Sequence, residues 1–484
     1  MRRPRYDVAA LRTGILHLGC GAFHRAHQAL ITQRAIEAET GLNGVPPPWG
    51  IAAASLRTGS VIAGLARQQG LYTVVERGPG GSTAEVVGAL REPLHAQRDA
   101  ERLLGLILDP RMQLVTLTVT ESGYCAEPSS GRLDANDPEI EADLQGRRPR
   151  SVPGLLVKAL QLRRTAGLAS PVFISCDNVL GNGRLLRQVC LDMAALQSDA
   201  LANWIECHVQ FPCSMVDRIV PATTDDDREL AAELIGRDDA APVTTEPFCQ
   251  WVIERFDGPR PFWEAAGVEF VGNVAPWETS KLRLLNGGHL AIACLGLLAG
   301  FTTVAEAMGE PALSAYALRL LIDEQRLTLP PSDHDIRAYA HQLVARWRNP
   351  AIAHELVRVG RNASGKLHTR LLAGLLLHLD AGRPAPLTVL AVASWIWCAS
   401  GRDRFGKALL AHDHLQLELL RLGRDSGGDA HQLVQGFLGL RKVFGDKLPM
   451  HQGFVKQLVQ AVRSLQQDGA LGAVSAALKR TPHS

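Results

Sequence analysis

Charge of one sign, paired cysteines and long uninterrupted apolar runs are all scarce in this 484-residue chain. Lys and Arg number 51 against 49 Asp and Glu, a formal net charge of +2. A balance this close provides no field for a polyanion, so neither nucleic acid nor a membrane surface is expected as a partner. The nine cysteines (Cys20, Cys125, Cys176, Cys190, Cys207, Cys213, Cys249, Cys294 and Cys398) are odd in number and lack any Cys-x-x-Cys pair. They argue against a disulfide framework or a zinc knuckle and read as reduced thiols, so a cytoplasmic location is expected. The longest uncharged stretch, residues 284–305, approaches the roughly 20 apolar residues that cross a bilayer. It carries Asn286, His289, Thr302 and Thr303 and reads instead as a buried core helix. The basic start Met1-Arg2-Arg3-Pro4-Arg5 meets Tyr6, Asp7 and Arg12 where a signal peptide needs an apolar core, so no secretion signal is expected.

What is present is ordinary globular composition, 46% apolar and 21% charged, in a chain long enough for about two or three domains. The first half alternates short β-rich runs (15–18, 50–55, 72–75, 114–119 and 172–175) with helical stretches such as 25–40. Unbroken apolar strands alternating with helices predict a parallel sheet covered on both faces, a doubly wound Rossmann-like α/β domain over residues 1–275. From 276 to 484 the pattern is helical: 281–299, 310–327, 333–348, 366–378 and 387–399 are long apolar-periodic segments, predicting a mainly all-α second domain.

The first strand runs into Gly19-Cys20-Gly21-Ala22-Phe23-His24-Arg25 and then a helix, the place where a dinucleotide pyrophosphate rests in such folds. An ordinary tight βα turn is the alternative, because the third glycine of the fingerprint is replaced by His24. The second strand ends Ser55-Leu56-Arg57-Thr58 without the acid that binds the ribose of NAD, and Arg57 suits a 2′-phosphate; NAD and NADP both stay open. His24 and His27 have no Cys or carboxylate companions, so no metal is expected.

A second cluster is Glu278-Thr279-Ser280-Lys281-Leu282-Arg283-Leu284-Leu285-Asn286-Gly287-Gly288-His289. On a regular helix, Asn286 and His289 lie roughly 140° and 80° round from Lys281, within reach of one pocket. A buried, neutral lysine takes the proton released when an alcohol gives up hydride, amides stabilise the alkoxide, and a histidine orients a hydroxyl. The structural alternatives are a lysine extended to solvent and a core histidine. Ser175-Cys176-Asp177-Asn178 follows a predicted strand, where Asn178 is either a further oxyanion donor or a turn residue. Met215-Val216-Asp217-Arg218-Ile219 joins an acid and a base among apolar residues.

These segments, with His17-Leu18 ahead of the glycine turn, Ala26-His27-Gln28 after it, Thr118-Val119-Thr120-Glu121, Glu246-Pro247-Phe248 and Gln250-Trp251-Val252-Ile253-Glu254, resemble the mannitol dehydrogenase family of polyol-specific long-chain dehydrogenases. The resemblance covers nearly the whole chain. It implies metal-free hydride transfer with NAD, Lys281 as general base, Asn178 and Asn286 as oxyanion donors, His289 as a substrate-orienting residue and Glu278 as a proton relay. Gly19, Gly21, Ala22, Phe23, Arg57 and Glu121 are the cofactor-binding candidates, and Asp217, Arg358, Arg361 and Lys366 the substrate-binding ones.

Within the family, the glycine-turn segment, Phe211-Pro212-Cys213 and Val443-Phe444-Gly445-Asp446-Lys447-Leu448-Pro449 look most like the fructuronate reductases. The expected reaction is therefore interconversion of D-fructuronate and D-mannonate, with a neutral polyol or ketose as the alternative substrate. A nicotinamide-binding sensor is the non-enzymatic alternative, and a monomer or weak oligomer is expected. Three residues depart from the family pattern: Ser122 where lysine is common, Gly288 where serine is common, and Asn362 where aspartate is common.

Overall fold

The computed structural model describes residues 1–480 except 58, 128–129, 147, 332–333, 353, 403–404, 407–408 and 410–411. Thr58 and Asp333, each part of a segment read above, lie outside the described residues. The chain divides into two compact units, Met1–Ala275 and Pro276–Ser484.

The strands of the first unit are, in chain order, β1 (Thr13–Leu18), β2 (Gly50–Ser55), β3 (Tyr72–Gly78), β4 (Gly81–Val87), β5 (Leu90–His95), β6 (Leu114–Leu117), β7 (Val172–Ser175), β8 (Ser214–Asp217), β9 (Val243–Thr245), β10 (Gln250–Glu254) and β11 (Glu269–Val271). Five of them form the central sheet in the order β5-β2-β1-β6-β7, every pair parallel. Successive side chains of a strand point to opposite faces, and here both faces are apolar. Leu16, Leu18, Ala52, Ala54, Val115 and Leu117 join one buried cluster, while Ile15, Ile51, Ala53, Leu114 and Ile174 join another. Burial on both faces is what makes these strands read as continuous apolar runs rather than alternating ones. The unit is Rossmann-like, as the alternation predicts.

Two strand expectations are corrected. Residues 72–75 do not enter the parallel sheet; β3 pairs antiparallel with β4 and parallel with β9 in a separate three-stranded sheet. The fifth parallel strand is β5, whose Arg91, Glu92 and Pro93 hide it from an apolar-run search. Proline belongs at a sheet edge, where a missing N–H costs no ladder bond, and β5 is the edge strand. The helix expected over 25–40 is also two pieces, Ala22–Ala26 and Gln28–Asn43, parted at His27 with φ −119° and ψ −92°.

The second unit is helical. Gly287–Ala299, Pro386–Ala399 and the run Gln452–Arg480, broken at Gly469 with φ +72°, pack on one another as its core. Three of the five segments expected as regular helices contain a π-helical turn: Lys281–Asn286, Leu320–Glu324 and His368–Leu372. The helical run Ala275–Ala299 is long and apolar enough to cross a membrane by length and composition, but 67% of its most apolar window is buried inside the protein, as a core helix requires.

Candidate active site

In the first unit a cavity of about 370 Å3 opens outside the carboxyl ends of the central strands. Gly19 and Gly21 after β1, Arg57 after β2, Gln97 after β5, and Thr120 and Ser122 after β6 line it. β1 is flanked by β2, the next strand in the chain, on one side and by β6, reached after β5, on the other, so the cavity sits at the switch point of the sheet, the usual place for a dinucleotide. Gly19 has φ +103°, and a Cβ there would collide with the Thr118 carbonyl, so the turn requires glycine. A Cβ on Gly21 would find nothing nearer than the Gly19 carbonyl at 3.8 Å, which leaves the backbone open to a ligand. Turn, opening and position fit a nicotinamide dinucleotide. Of the sequence candidates, Gly19, Gly21 and Arg57 are brought together here. Ala22, Phe23 and Glu121 are not on the lining: the Phe23 ring stacks on His27 at 5.0 Å, and Glu121 is exposed at the start of the short turn Glu121–Tyr124.

Buried polar groups hold this floor in shape. His17 meets the Thr116 hydroxyl through Nδ1 at 2.8 Å and the Thr118 hydroxyl through Nε2 at 2.9 Å, and Thr118 Oγ1 donates to the Gly19 carbonyl at 2.7 Å. Burial pushes the His17 pKa down to about 3, so its ring is neutral. His24 stacks on it with 3.4 Å between centroids, and His27 Nε2 lies 2.9 Å from the Gln250 carbonyl; both belong to the packing beneath the turn. Asp177, part of the segment 175–178 read in the sequence but given no role there, accepts from the backbone N–H groups of Val119 at 3.1 Å and Thr120 at 2.8 Å and from the Tyr124 hydroxyl at 2.8 Å. Burial raises its pKa, and those three donors oppose the rise. Asp177 thus ties the end of β7 to the loop lining the cavity and fixes where the exposed Asn178 begins. Asp217 is buried at the end of β8, in register with Gln250.

In the second unit Glu278, Lys281, Asn286 and His289 lie on one continuous helical run, but not on the regular helix expected. Residues 281–286 form the π-helical turn between Ala275–Ser280 and Gly287–Ala299. With i→i+5 bonding, one turn takes in Lys281 and Asn286, so they are closer to one face than the roughly 140° computed for a regular helix. The cause is tertiary: this turn packs on the third π-turn, His368–Leu372, and a Cβ on Gly287 would stand 2.7 Å from the Arg370 carbonyl.

His289 is buried against Trp347, 5.1 Å between ring centroids, and edge-on to His354 at 5.2 Å. Its Nε2 has no hydrogen-bond partner among the described residues. Burial, reinforced by His354, Arg346 and Arg370, holds its pKa well below the usual histidine range, so it is a neutral donor or acceptor. Arg358 bears on the same group indirectly, its charge lowering His354. Arg358 and Arg361 are exposed, and Lys366 donates from Nζ to the Arg361 carbonyl at 2.7 Å. The sequence missed Trp347, His354 and Arg370. Burial presses the Arg370 pKa down to about 10, and no local pattern in the sequence marks that neighbourhood, which depends on helices far apart in the chain.

Residues 13–265 match the mannitol dehydrogenase Rossmann domain, and residues 273–466 match the mannitol dehydrogenase C-terminal domain. The chain belongs to the mannitol dehydrogenase family. It is 42% identical over 480 residues to an uncharacterised oxidoreductase, YeiQ, of Escherichia coli (strain K12), covering 98% of this chain and 97% of the relative. It is 40% identical over 481 residues to D-mannonate oxidoreductase of the same organism, again covering 98% and 97%. Among solved structures it is similar to Pseudomonas fluorescens mannitol 2-dehydrogenase in ternary complex with NAD and D-mannitol, with TM-score 0.82, 35% identity and coverage of 99% of this chain and 97% of that one. The family is one of oxidoreductases, and its fold and this chain's cavity support a nicotinamide cofactor.

Proposed function

We propose that this chain is an NAD(H)-dependent reductase interconverting D-fructuronate and D-mannonate. The observation that carries the reading is the 40% identity, over 98% of the chain, to D-mannonate oxidoreductase; the continuous Lys281-to-His289 segment supports it. Residues 1–275 are assigned as the cofactor domain and 276–484 as the domain bearing the base.

A bound nicotinamide accepts or supplies the hydride. In the oxidative direction, Lys281 Nζ as a free amine takes the hydroxyl proton while the same carbon loses hydride, and the alcohol becomes a ketone. Asn178 and Asn286 donate amide N–H groups to the oxygen as it gains negative charge. Neutral His289 orients a neighbouring hydroxyl, and Glu278 passes the Lys281 proton to solvent. Gly19 and Gly21 let the cofactor approach the backbone, with Arg57 as its further candidate contact. Asp217, Arg358, Arg361 and Lys366 are assigned to the substrate, with arginine suited to a carboxylate.

The alternative substrate is a neutral polyol or ketose, favoured by the likeness to the mannitol 2-dehydrogenase structure. The test is NADH oxidation followed by absorbance with fructuronate, fructose and xylulose offered separately. Turnover of fructuronate alone is expected, and Lys281→Ala is expected to lower it by about 100-fold or more. Preference for fructose or xylulose overturns the substrate assignment, and full turnover by Lys281→Ala overturns the mechanism.

A further inference from the structure

Arg57 and Arg150 line the same cavity, from two separate segments of the first unit. Arg57 follows β2 directly, and Arg150 stands just ahead of the helix Val152–Thr165. Both residues are exposed, and neither guanidinium has an ion-pair or hydrogen-bond partner among the described residues. The backbone beneath Arg150 is nonetheless fixed: its N–H donates to Asp143 Oδ1 at 2.8 Å, and Asp143 Oδ2 accepts from Ser151 N at 3.0 Å and Ser151 Oγ at 2.6 Å. Asp143 is thereby committed to the loop.

The position after β2 decides which ribose a dinucleotide fold accepts. A carboxylate there takes the 2′-hydroxyl and repels a 2′-phosphate, whereas an arginine accommodates the phosphate. From Ser55 through Arg67 this chain has no Asp or Glu at all. The carboxylate on the lining is Glu139, whose oxygen lies within 4.8 Å of ligand atoms of Cys125 and Asp137. Two guanidinium groups without carboxylate partners, on the wall of a cavity shaped for a dinucleotide, have the chemistry that recognises phosphate.

We propose that Arg57, with Arg150 as a second cation lining the same cavity, forms a 2′-phosphate subsite, so that the chain takes NADP(H) as well as NAD(H). The subsite rests on the reading of this cavity as the dinucleotide site and is independent of which sugar is reduced.

The test is calorimetric titration of the full-length protein with adenosine 2′,5′-bisphosphate and, separately, with 5′-AMP at low salt. The bisphosphate is expected to bind about ten-fold or more tightly than 5′-AMP, as a charge-assisted bond to a phosphate implies. That ratio should shrink as salt rises. Arg57→Ala should bring it close to one, Arg57→Lys should keep part of it, and Arg150→Ala should reduce it less. The variant's own affinity for 5′-AMP reports that it is folded. Equal binding of the two nucleotides by the unaltered protein, or a ratio unmoved in Arg57→Ala, overturns the subsite and leaves the cavity a dinucleotide site. Binding of neither overturns both.

Discussion

Gly288 precedes His289 in a helix where glycine is otherwise a cost, and the structure gives the reason it is tolerated. A Cβ at that position would stand 2.5 Å from Cη2 of the buried Trp347 and 3.2 Å from Leu321 Cδ2. The serine common in the family would therefore have to displace the ring that packs on His289. Gly288→Ser is expected to destabilise the protein by about 1–3 kcal/mol, the usual range for overpacking, despite the gain in helix propensity. Urea unfolding measures the loss, and Trp347→Phe in the same chain should recover part of it; a neutral Gly288→Ser would show that the ring moves freely. The other two departures are local in the same sense. Ser122 lines the cavity, so a lysine there would add a cation and a long side chain to its wall. Asn362 has φ +51°, a left-handed conformation in which asparagine is among the less strained residues with a side chain.

At the scale of elements, the π-turns do work that a regular helix would not. The turn Leu320–Glu324 delivers Glu324 to the start of the helix Pro386–Ala399, where its carboxylate accepts from Leu387 N at 2.8 Å, Thr388 N at 2.7 Å and Thr388 Oγ1 at 2.6 Å. Burial nonetheless pushes its pKa up to about 7, with those donors opposing the shift. An acid whose pKa is higher folded than unfolded binds its proton more tightly in the native state, so its contribution to stability falls as pH rises from about 4.5 to about 7. The slope is at most about 1.4 kcal/mol per pH unit, or about 3 kcal/mol in all. The difference in unfolding free energy between the unaltered protein and Glu324→Gln, followed from pH 5 to 8, should show that decline; a difference independent of pH would mean Glu324 ionises normally. None of this is legible in the sequence. Periodicity placed the helices near 281–299, 310–327 and 366–378 because their apolar faces are real, but it assumes 3.6 residues per turn, and the extra residue in each π-turn is imposed by partners distant in the chain. The strands of the central parallel sheet were legible for the converse reason: two buried faces leave unbroken apolar runs, and of those five only β5, an edge strand with Pro93, escaped. At the candidate site the residue types and order were readable, while Asp177, Trp347 and Arg370 were not, since each matters through a tertiary neighbour.

Across the whole molecule, both units bury histidines that the fold holds neutral. His17 and His24 lie under the glycine turn of the first unit, the second of them held well below its usual range by burial and by the nearby charge of Arg25; His289 lies in the second unit. A base whose pKa is lower folded than unfolded has the opposite linkage to Glu324. Its contribution is complete above pH 6.5 and is lost as pH falls, because the unfolded chain takes up protons that the native state refuses. Each such histidine adds up to about 1.4 kcal/mol per pH unit to the acid slope, so stability should drop steeply between pH 6.5 and 5 while little changes from 7 to 7.5. His24 is the informative one to alter, because neither of its ring nitrogens has a hydrogen-bond partner among the described residues. Replacing it removes a titration without breaking a polar network. His24→Leu, of similar volume, is expected to flatten the acid slope by up to about 1.4 kcal/mol per pH unit while leaving the unfolding midpoint at pH 7.5 within a few degrees. An unchanged slope would mean that His24 is protonated in the native state, and the stacked His17–His24 pair would then have to hold a charge within 3.4 Å of a neutral ring.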